Sequence, residues 1–445
     1  MIDDQNRKVD PGNAAPPVDR NTIRRVVLSS FVGNSIEYYD FFVYGLAAAL
    51  VFGKLFFPTI SPLAATLASF ATFGVGFVAR PLGGIFFGHL GDTIGRKRTL
   101  VITLVTMGVA TTLIGFLPTY EQVGVLAPTL LVALRFLQGF AVGGEWGGAM
   151  LVVMESAPPR YRGLLSAMPN TGGFSGQLGG TAVFAVLAFL PSEQMLSWGW
   201  RVPFLVSFLL VMFGLWLRIR LDETPVFKTL HATGAAKPPK YPALEVIRSS
   251  WPSLLLVIAM VFAIQVPFFL ATVFAVSYAT GQLGIPQQTL LGVILATCVI
   301  AFPSHALFGW LSDRVGRRPI FIFGALLAAA FAFPFFYLLE SGNFALMVLG
   351  YVLLLNIAHN SMNAVEPALF TELFGAKTRY SGVSIGLQFG SVFAGGFTPF
   401  IAKALSAADG NRWTAVAIYV VVMCLVSVVA ALIAPETSKR DLTEN

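Results

Sequence analysis

The stretch GHLGDTIGRK at residues 88–97 returns as GWLSDRVGRR at 309–318, so that Gly88, Asp92, Gly95, Arg96 and Lys97 match Gly309, Asp313, Gly316, Arg317 and Arg318. The copies stand 221 positions apart, 309 minus 88. Each joins one long apolar run to the next through a short polar turn in which glycine permits a tight backbone and an acid precedes a cationic cluster. Repetition on this scale implies two homologous halves. The flanking runs make each copy an expected hinge between membrane helices.

Composition supports a membrane setting, because 56% of the 445 residues are hydrophobic and only 11% are charged. A soluble globule has too little interior to hide that apolar surface. Spans of about 20 or more apolar residues fall near 23–53, 63–88, 99–117, 126–154, 164–190 and 202–221, then near 251–281, 289–312, 318–340, 344–366, 380–405 and 412–434. The expected fold is therefore an all-α membrane protein of twelve helices in two pseudo-symmetric bundles of six. A net charge of +7 would suit nucleic acid, but its distribution follows the membrane. With the N-terminus cytoplasmic, Arg24, Arg25, Arg96, Lys97, Arg98, Arg160, Arg162, Arg218, Arg220, Arg314, Arg317, Arg318, Lys377, Arg379, Lys439 and Arg440 fall inside; Lys54, Arg201, Lys403 and Arg412 fall outside. The positive-inside rule then places both termini in the cytoplasm and removes the need for a nucleic-acid partner.

The expected division is a cytoplasmic N-terminus without a globular fold (1–20), a first bundle (21–221), a cytoplasmic linker (222–250), a second bundle (251–434) and a short tail (435–445). Residues 1–20 lack the apolar core of a signal peptide. Cys298 and Cys424 both fall in expected spans, which disfavours a stabilising disulfide or a thiol-ligated metal. No GxxxxGK[ST] phosphate cradle and no metal-ligand cluster occurs. The expectation is a non-enzyme without cofactor or metal, its partners a small molecule, protons and the bilayer, with no obligatory protein partner evident.

An ionisable side chain near the bilayer centre costs roughly 2.5–3.5 kcal/mol on insertion scales, so each needs a partner or a purpose. In the first span Gly33, Glu37, Asp40 and Tyr44 follow the spacing of one helical face. In the fourth, Arg135, Gln138 and Glu145 share a side, while Gly139, Gly143 and Gly147 form a small-residue stripe suited to close packing. Arg80 lies in the second. Glu37, Asp40 and Glu145 against Arg80 and Arg135 leave one acid without a basic partner, the candidate proton carrier. Arg135 and Arg80 are candidate carboxylate clamps, since guanidinium binds carboxylate bidentately. The alternative is that Arg80 pairs permanently with Glu37 or Glu145 and fastens helices together. In the second half, polar residues gather at Asn356, His359, Asn360, Asn363 and Glu366, with Gln265, Ser384, Gln388 and Ser391 elsewhere. Tyr38, Gln138, Gln265, Asn360 and Gln388 join the candidate substrate contacts; the amides serve equally well as interhelical fasteners. Glu366 is the offset equivalent of Glu145, without a role following from that. Tyr38, Tyr39 and Trp146 also suit an aromatic enclosure for a quaternary ammonium.

The duplicated GxxxDxxGR[KR] resembles the signature of the major facilitator superfamily, which has paired six-helix halves around a midplane site. GNSIEYYDFFVYG (33–45), FVARPLGGIFFGHLGD (77–92), RFLQGFAVGGEWGGA (135–149), WGWRVPFL (198–205) and ELFGAKTRYSG (372–382) look like its metabolite:H⁺ symporter family, with shikimate-type and related organic-acid carriers most similar. Unlike the osmosensing proline/betaine carriers, the chain has no heptads after Pro435. The resemblance implies that Asp92, Arg96, Glu155 and Arg162, with Asp313, Arg317, Glu372 and Arg379, form gating pairs that close the cytoplasmic side. The alternative is constant surface pairs worth under about 1 kcal/mol. The implied function is proton-coupled symport of a small organic anion by alternating access, in a bacterial inner membrane. A zwitterion symporter, a proton-antiport efflux pump and a membrane sensor remain as alternatives.

Overall fold

The computed structural model describes residues 20–94, 96–143, 159–219, 242–375 and 379–438. Its long helices are α1 (Arg20–Leu50), α2 (Pro62–Ile94), α3 (Arg96–Gly115), α4 (Leu126–Val142), α5 (Thr171–Leu187) and α6 (Val202–Ile219). They continue with α7 (Trp251–Gly281), α8 (Gln287–Val315), α9 (Arg317–Glu340), α10 (Phe344–Glu372), α11 (Arg379–Ser391 prolonged through Thr398–Ala408) and α12 (Thr414–Ile433). This is the twelve-helix all-α arrangement expected from the spans. Among the described residues, nine helices are long and apolar enough to cross a membrane, and Leu126–Val142 is a shorter apolar one. Large apolar side chains such as Phe189, Val186 and Ile433 stand mostly exposed on the periphery, where lipid rather than water suits them.

Helix contacts repeat six helices on. α1 packs on α5 as α7 does on α11, α2 on α4 as α8 on α10, and α3 on α6 as α9 on α12. Two seams then join the sets, α2 against α11 and α5 against α8. The α2–α4 seam shows why glycine recurs there: a Cβ on Gly139 would sit 1.9 Å from the Gly76 carbonyl oxygen, and one on Gly143 2.0 Å from that of Arg80. The stripe read from α4 thus meets the backbone of α2, although Gly147 lies outside the described residues. Without a hydrophobic drive between helices in lipid, such close approach supplies the packing.

Three differences from the sequence reading have local causes. The repeated motif is mostly helical, since α2 runs to Ile94 and α8 to Val315; the second hinge narrows to Gly316 at φ 110°. The stretch 222–250 contains a short helix, Pro242–Ser249, which leads into α7. Finally, α7, α10 and α11 each contain a π turn, at Leu270–Phe274, Val352–His359 and Val392–Gly396. Such turns recur at functional sites, and here they border the central cavity.

Candidate functional site

Glu37 and Tyr38 of α1, Phe77 and Arg80 of α2, and Asn170 and Phe174 of the α5 segment form one wall of a cavity of ≈ 50 Å³. The other wall comes from Gln265, Phe268 and Phe269 of α7, His359, Asn363 and Glu366 of α10, and Gln388 and Ser391 of α11. One buried water needs on the order of 10–15 Å³ on this measure, so the space exceeds that of a single water.

Charge is unevenly distributed around it. Arg80 Nη2 lies 3.8 Å from Glu37 Oε1, an ion pair stretched beyond a hydrogen bond. The guanidinium rests over the rings of Phe77 (4.5 Å) and Phe41 (5.0 Å), and its Nε is buried without a hydrogen-bond partner. Across the cavity Glu366, 4% exposed, accepts a 3.0 Å hydrogen bond from Asn363 Nδ2. Among the described residues no cation lies within salt-bridge distance of it. The same wall carries two buried acceptors without hydrogen-bond partners, Gln265 Oε1 and Gln388 Oε1; Gln265 Nε2 donates to Ser391 Oγ at 2.7 Å. His359 stacks on Phe268 at 4.7 Å and its Nδ1 lies 2.9 Å from the Ile264 carbonyl oxygen. A carbonyl only accepts, so Nδ1 carries the proton.

Arg135 does not line this cavity. It lies in a smaller recess behind Arg80, shared with Glu37, Gly76 and Gln138. Its guanidinium sits 4.1 Å from the Tyr44 ring centre, and Nη1 donates to Gln138 Oε1 at 2.5 Å. Gln138 Nε2 donates to Thr111 Oγ1 at 2.8 Å, and Asp40 accepts from Thr111 Oγ1 at 2.8 Å and from Ser207 Oγ. A polar chain therefore runs from α4 through α3 to Asp40, buried beside α6. Glu37 and Asp40 part company because three residues of helix advance 300°, leaving them about 60° apart: one faces the cavity, the other the α3–α6 seam. Asn360 turns toward α8, donating to Ser304 Oγ at 2.7 Å, and is not among the cavity-lining residues. Tyr38, Gln265 and Gln388 are.

The end of α8 and the start of α9 hold the second motif, beside the end of α10. Asp313 accepts from the backbone N–H of Gly163 (2.7 Å) and Leu164 (3.0 Å), on a short helix, Arg162–Ala167, that precedes α5. The acid thereby bridges the two helix sets. Arg317 Nη1 donates to Asp313 Oδ1 (2.8 Å) and Ser312 Oγ (2.7 Å), while its Nε lies 3.7 Å from Glu372 Oε2. Arg379 is buried and Arg162 is partly exposed. Glu145 and Glu155 lie outside the described residues, and the side chains of Asp92 and Arg96 are likewise not described.

One contributor escaped the sequence reading. Gly316 has no side chain to cap α9, and Glu436, just past α12, takes that place by accepting from the N–H groups of Arg317 and Arg318, both at 3.0 Å. A Cβ on Gly316 would meet Glu436 Oε2 at 2.8 Å, and its φ of 110° already demands glycine. Thr437 Oγ1 adds a 2.6 Å hydrogen bond to Glu372 Oε2. The Pro435-Glu436-Thr437 sequence beside an uncapped helix start was the available signal. Burial pushes the Glu436 carboxyl up, but hydrogen bonds from the backbone of Arg317, Ser438 and Arg318 outweigh it and hold the carboxyl below its ordinary range. Its stabilisation is therefore complete above the unfolded value of about 4.3 and lost as pH falls through the lower folded value. Because the side chain is exposed, the contribution is no more than about 1 kcal/mol. Glu436→Gln should unfold slightly earlier than the parent at pH 7 in a thermal melt, with the gap closing as the pH falls through the lowered carboxyl value of the folded state; a gap unchanged by pH would refute the charge-dependent cap.

Residues 26–238 match the family model described as "Sugar (and other) transporter", and residues 299–445 match "Major Facilitator Superfamily". The chain is 43% identical to the shikimate transporter of Escherichia coli K12 over 94% of its length and 95% of the relative's. It is 34% identical to the proline/betaine transporter of the same strain, covering 96% of this chain and 86% of that one. Among solved structures, the partially occluded inward-open xylose transporter XylE of E. coli superposes with a TM-score of 0.73 at 19% identity, over 94% of this chain and 99% of that one. That last likeness concerns the fold.

Proposed function

Because the chain belongs to the major facilitator superfamily and is a multi-pass membrane transporter of that family, we propose that it carries a small organic anion inward together with a proton, by alternating access. The observation that carries this reading is the stretched Glu37–Arg80 pair at the cavity wall. Arg80 is the cation there among the described residues, and a bidentate guanidinium suits a substrate carboxylate. When Glu37 takes a proton, Arg80 is released to the substrate. The charge of the Glu37–Arg80 pair with its ligand stays constant: Glu37⁻ and Arg80⁺ sum to 0 when empty, and Arg80⁺ and substrate⁻ sum to 0 when loaded with Glu37 protonated. Anion without proton would leave a net −1 in a low-dielectric space, which is costly. That difference couples the two fluxes.

Asp40 and the Arg135–Gln138–Thr111 chain lie beside this exchange and suit a proton relay or an orienting role, with Glu145 an untested third acid. The halves 21–221 and 251–434 rock against each other, and Asp313, Arg317 and Glu372 hold the cytoplasmic side together in one arrangement, so breaking them biases the equilibrium. Asp92, Arg96, Glu155, Arg162 and Arg379 complete the gate in this proposal. Both termini face the cytoplasm of a bacterial inner membrane.

A second reading has its own observation. Glu366 on the far wall suits the cationic head of a zwitterion, and proline/betaine carriers are among the relatives. A zwitterion seated across the two walls leaves the charge of the site unchanged without a proton. Purified protein in liposomes, offered shikimate, succinate, proline and glycine betaine with an inwardly directed proton gradient, separates the readings: shikimate should accumulate with alkalinisation of the medium, whereas betaine or proline accumulation in its place would select the zwitterion.

A further inference from the structure

We infer that Phe41 is a positioning residue for the proton exchange: its ring, shared by the guanidinium groups of Arg80 and Arg135, holds Arg80 off Glu37 and so sets the pH at which the pair yields Arg80 to substrate. This deepens the proposed Glu37–Arg80 exchange and rests on it.

Phe41 follows Glu37 by one helical turn on the same face of α1, and it lines both the central cavity and the recess that holds Arg135. Its ring centre lies 5.0 Å from the guanidinium carbon of Arg80 and 5.1 Å from that of Arg135. Phe77 meets Arg80 alone at 4.5 Å and Phe73 meets Arg135 alone at 5.2 Å, so Phe41 is the shared ring among the described residues. Edge contacts with Phe73, Phe77 and Phe269, at 4.9, 4.9 and 5.3 Å, fix its place. A ring face attracts a cation most strongly where water is excluded, and Arg80 Nε has no hydrogen bond to compete with that pull. The pull explains why opposite charges in a buried site stop at 3.8 Å, beyond hydrogen-bond range. Without it the guanidinium would close on the carboxylate, and a closed, charge-assisted pair takes up a proton less readily. The other charged and titratable groups facing the pair are Tyr38 of α1, Arg135 of α4, and His359 and Glu366 of α10; α5, α7 and α11 present neutral side chains to the cavity. Asp40 is turned into the α3–α6 seam. Among the described residues, Glu37 is the acid within salt-bridge distance of Arg80, so the rings are what the carboxylate competes with.

The test is equilibrium binding of labelled shikimate to purified protein near pH 5.5 and near pH 7.5, with Phe41 replaced in turn by phenylalanines carrying one, two or three ring fluorines. Fluorination keeps the shape of the ring and drains its negative face, so the fold is spared where Phe41→Leu might disturb it. Affinity near pH 7.5 should fall stepwise, to about tenfold at three fluorines, while affinity near pH 5.5, where Glu37 is protonated in every variant, stays within about twofold of the parent. In a Glu37→Gln background the series should be flat, because no carboxylate is left to capture Arg80. Phe269→Leu removes a ring that packs on Phe41 without meeting either arginine, and should leave the pH dependence as it is. A flat series in the parent background, equal losses at both pH values, or the same loss in Phe269→Leu would overturn the role of Phe41. A parent that binds no shikimate, or binds it no better near pH 5.5 than near pH 7.5, would overturn the Glu37–Arg80 exchange first, and this inference with it.

Discussion

Glu37→Gln should exchange substrate across the membrane as the parent does but accumulate none of it against a gradient. A carrier moving one proton with one monovalent anion concentrates its cargo at most about tenfold per pH unit, since each unit is worth about 1.36 kcal/mol. The glutamine is a permanent imitation of protonated Glu37, so Arg80 stays free for substrate and binding no longer waits on a proton. Uptake driven by a pH gradient should fall to equilibration, while counterflow persists and its apparent affinity loses its pH dependence. Accumulation at the parental ratio in Glu37→Gln would place the coupling proton elsewhere, with Asp40 the next group to test by Asp40→Asn.

Loss of Arg80 should be the more damaging change to affinity. Hydrogen bonds to charged groups are worth about 1.5–3 kcal/mol each, so removing the guanidinium should weaken substrate binding by roughly ten- to 150-fold at about 1.4 kcal/mol per decade. Arg80→Ala also takes away the guanidinium paired with the buried Glu37, which endangers folding; pairing it with Glu37→Gln removes that charge and isolates the binding defect. Arg80→Lys keeps the charge but not the two-pronged geometry and should fall between. Equilibrium binding of labelled shikimate to purified protein reads all three, and parental affinity in the double variant would eliminate Arg80 as the clamp.

Much of the architecture was legible because lipid imposes a simple rule: each span must be apolar and long, and the runs read from hydropathy reappear as helices, most ends displaced by only a few residues, while the end expected for the fourth at 154 lies outside the described residues. The repeat was legible for the same reason that it matters, since the contacts of α1–α6 recur in α7–α12. The site was only half legible. Intramembrane charges announced themselves by their cost, so Glu37 and Arg80 were found and the structure brings them together. Spacing did not tell which wall each residue meets. Arg135 reads as a clamp in one dimension but stacks on Tyr44 behind the cavity, and Asp40 follows Glu37 by a spacing that carries it into the α3–α6 seam. Asn360 shares a helix with His359 and Glu366, yet it bonds to Ser304 of α8. The second half read as mainly amides, because Glu366 has no nearby opposite charge in the sequence to call attention to it; only the cavity shows it facing the Glu37–Arg80 pair across the same space. Glu436 was hidden by distance, since its partners lie more than a hundred residues away.

The exchange of Arg80 between Glu37 and substrate can be read without transport. Purified protein in weakly buffered solution, mixed with shikimate while pH is followed by an indicator dye, should take up about one proton for each substrate bound, and Glu37→Gln should bind substrate with no uptake. Binding by the parent without proton uptake, or undiminished uptake in Glu37→Gln, would contradict the coupling assigned to this pair.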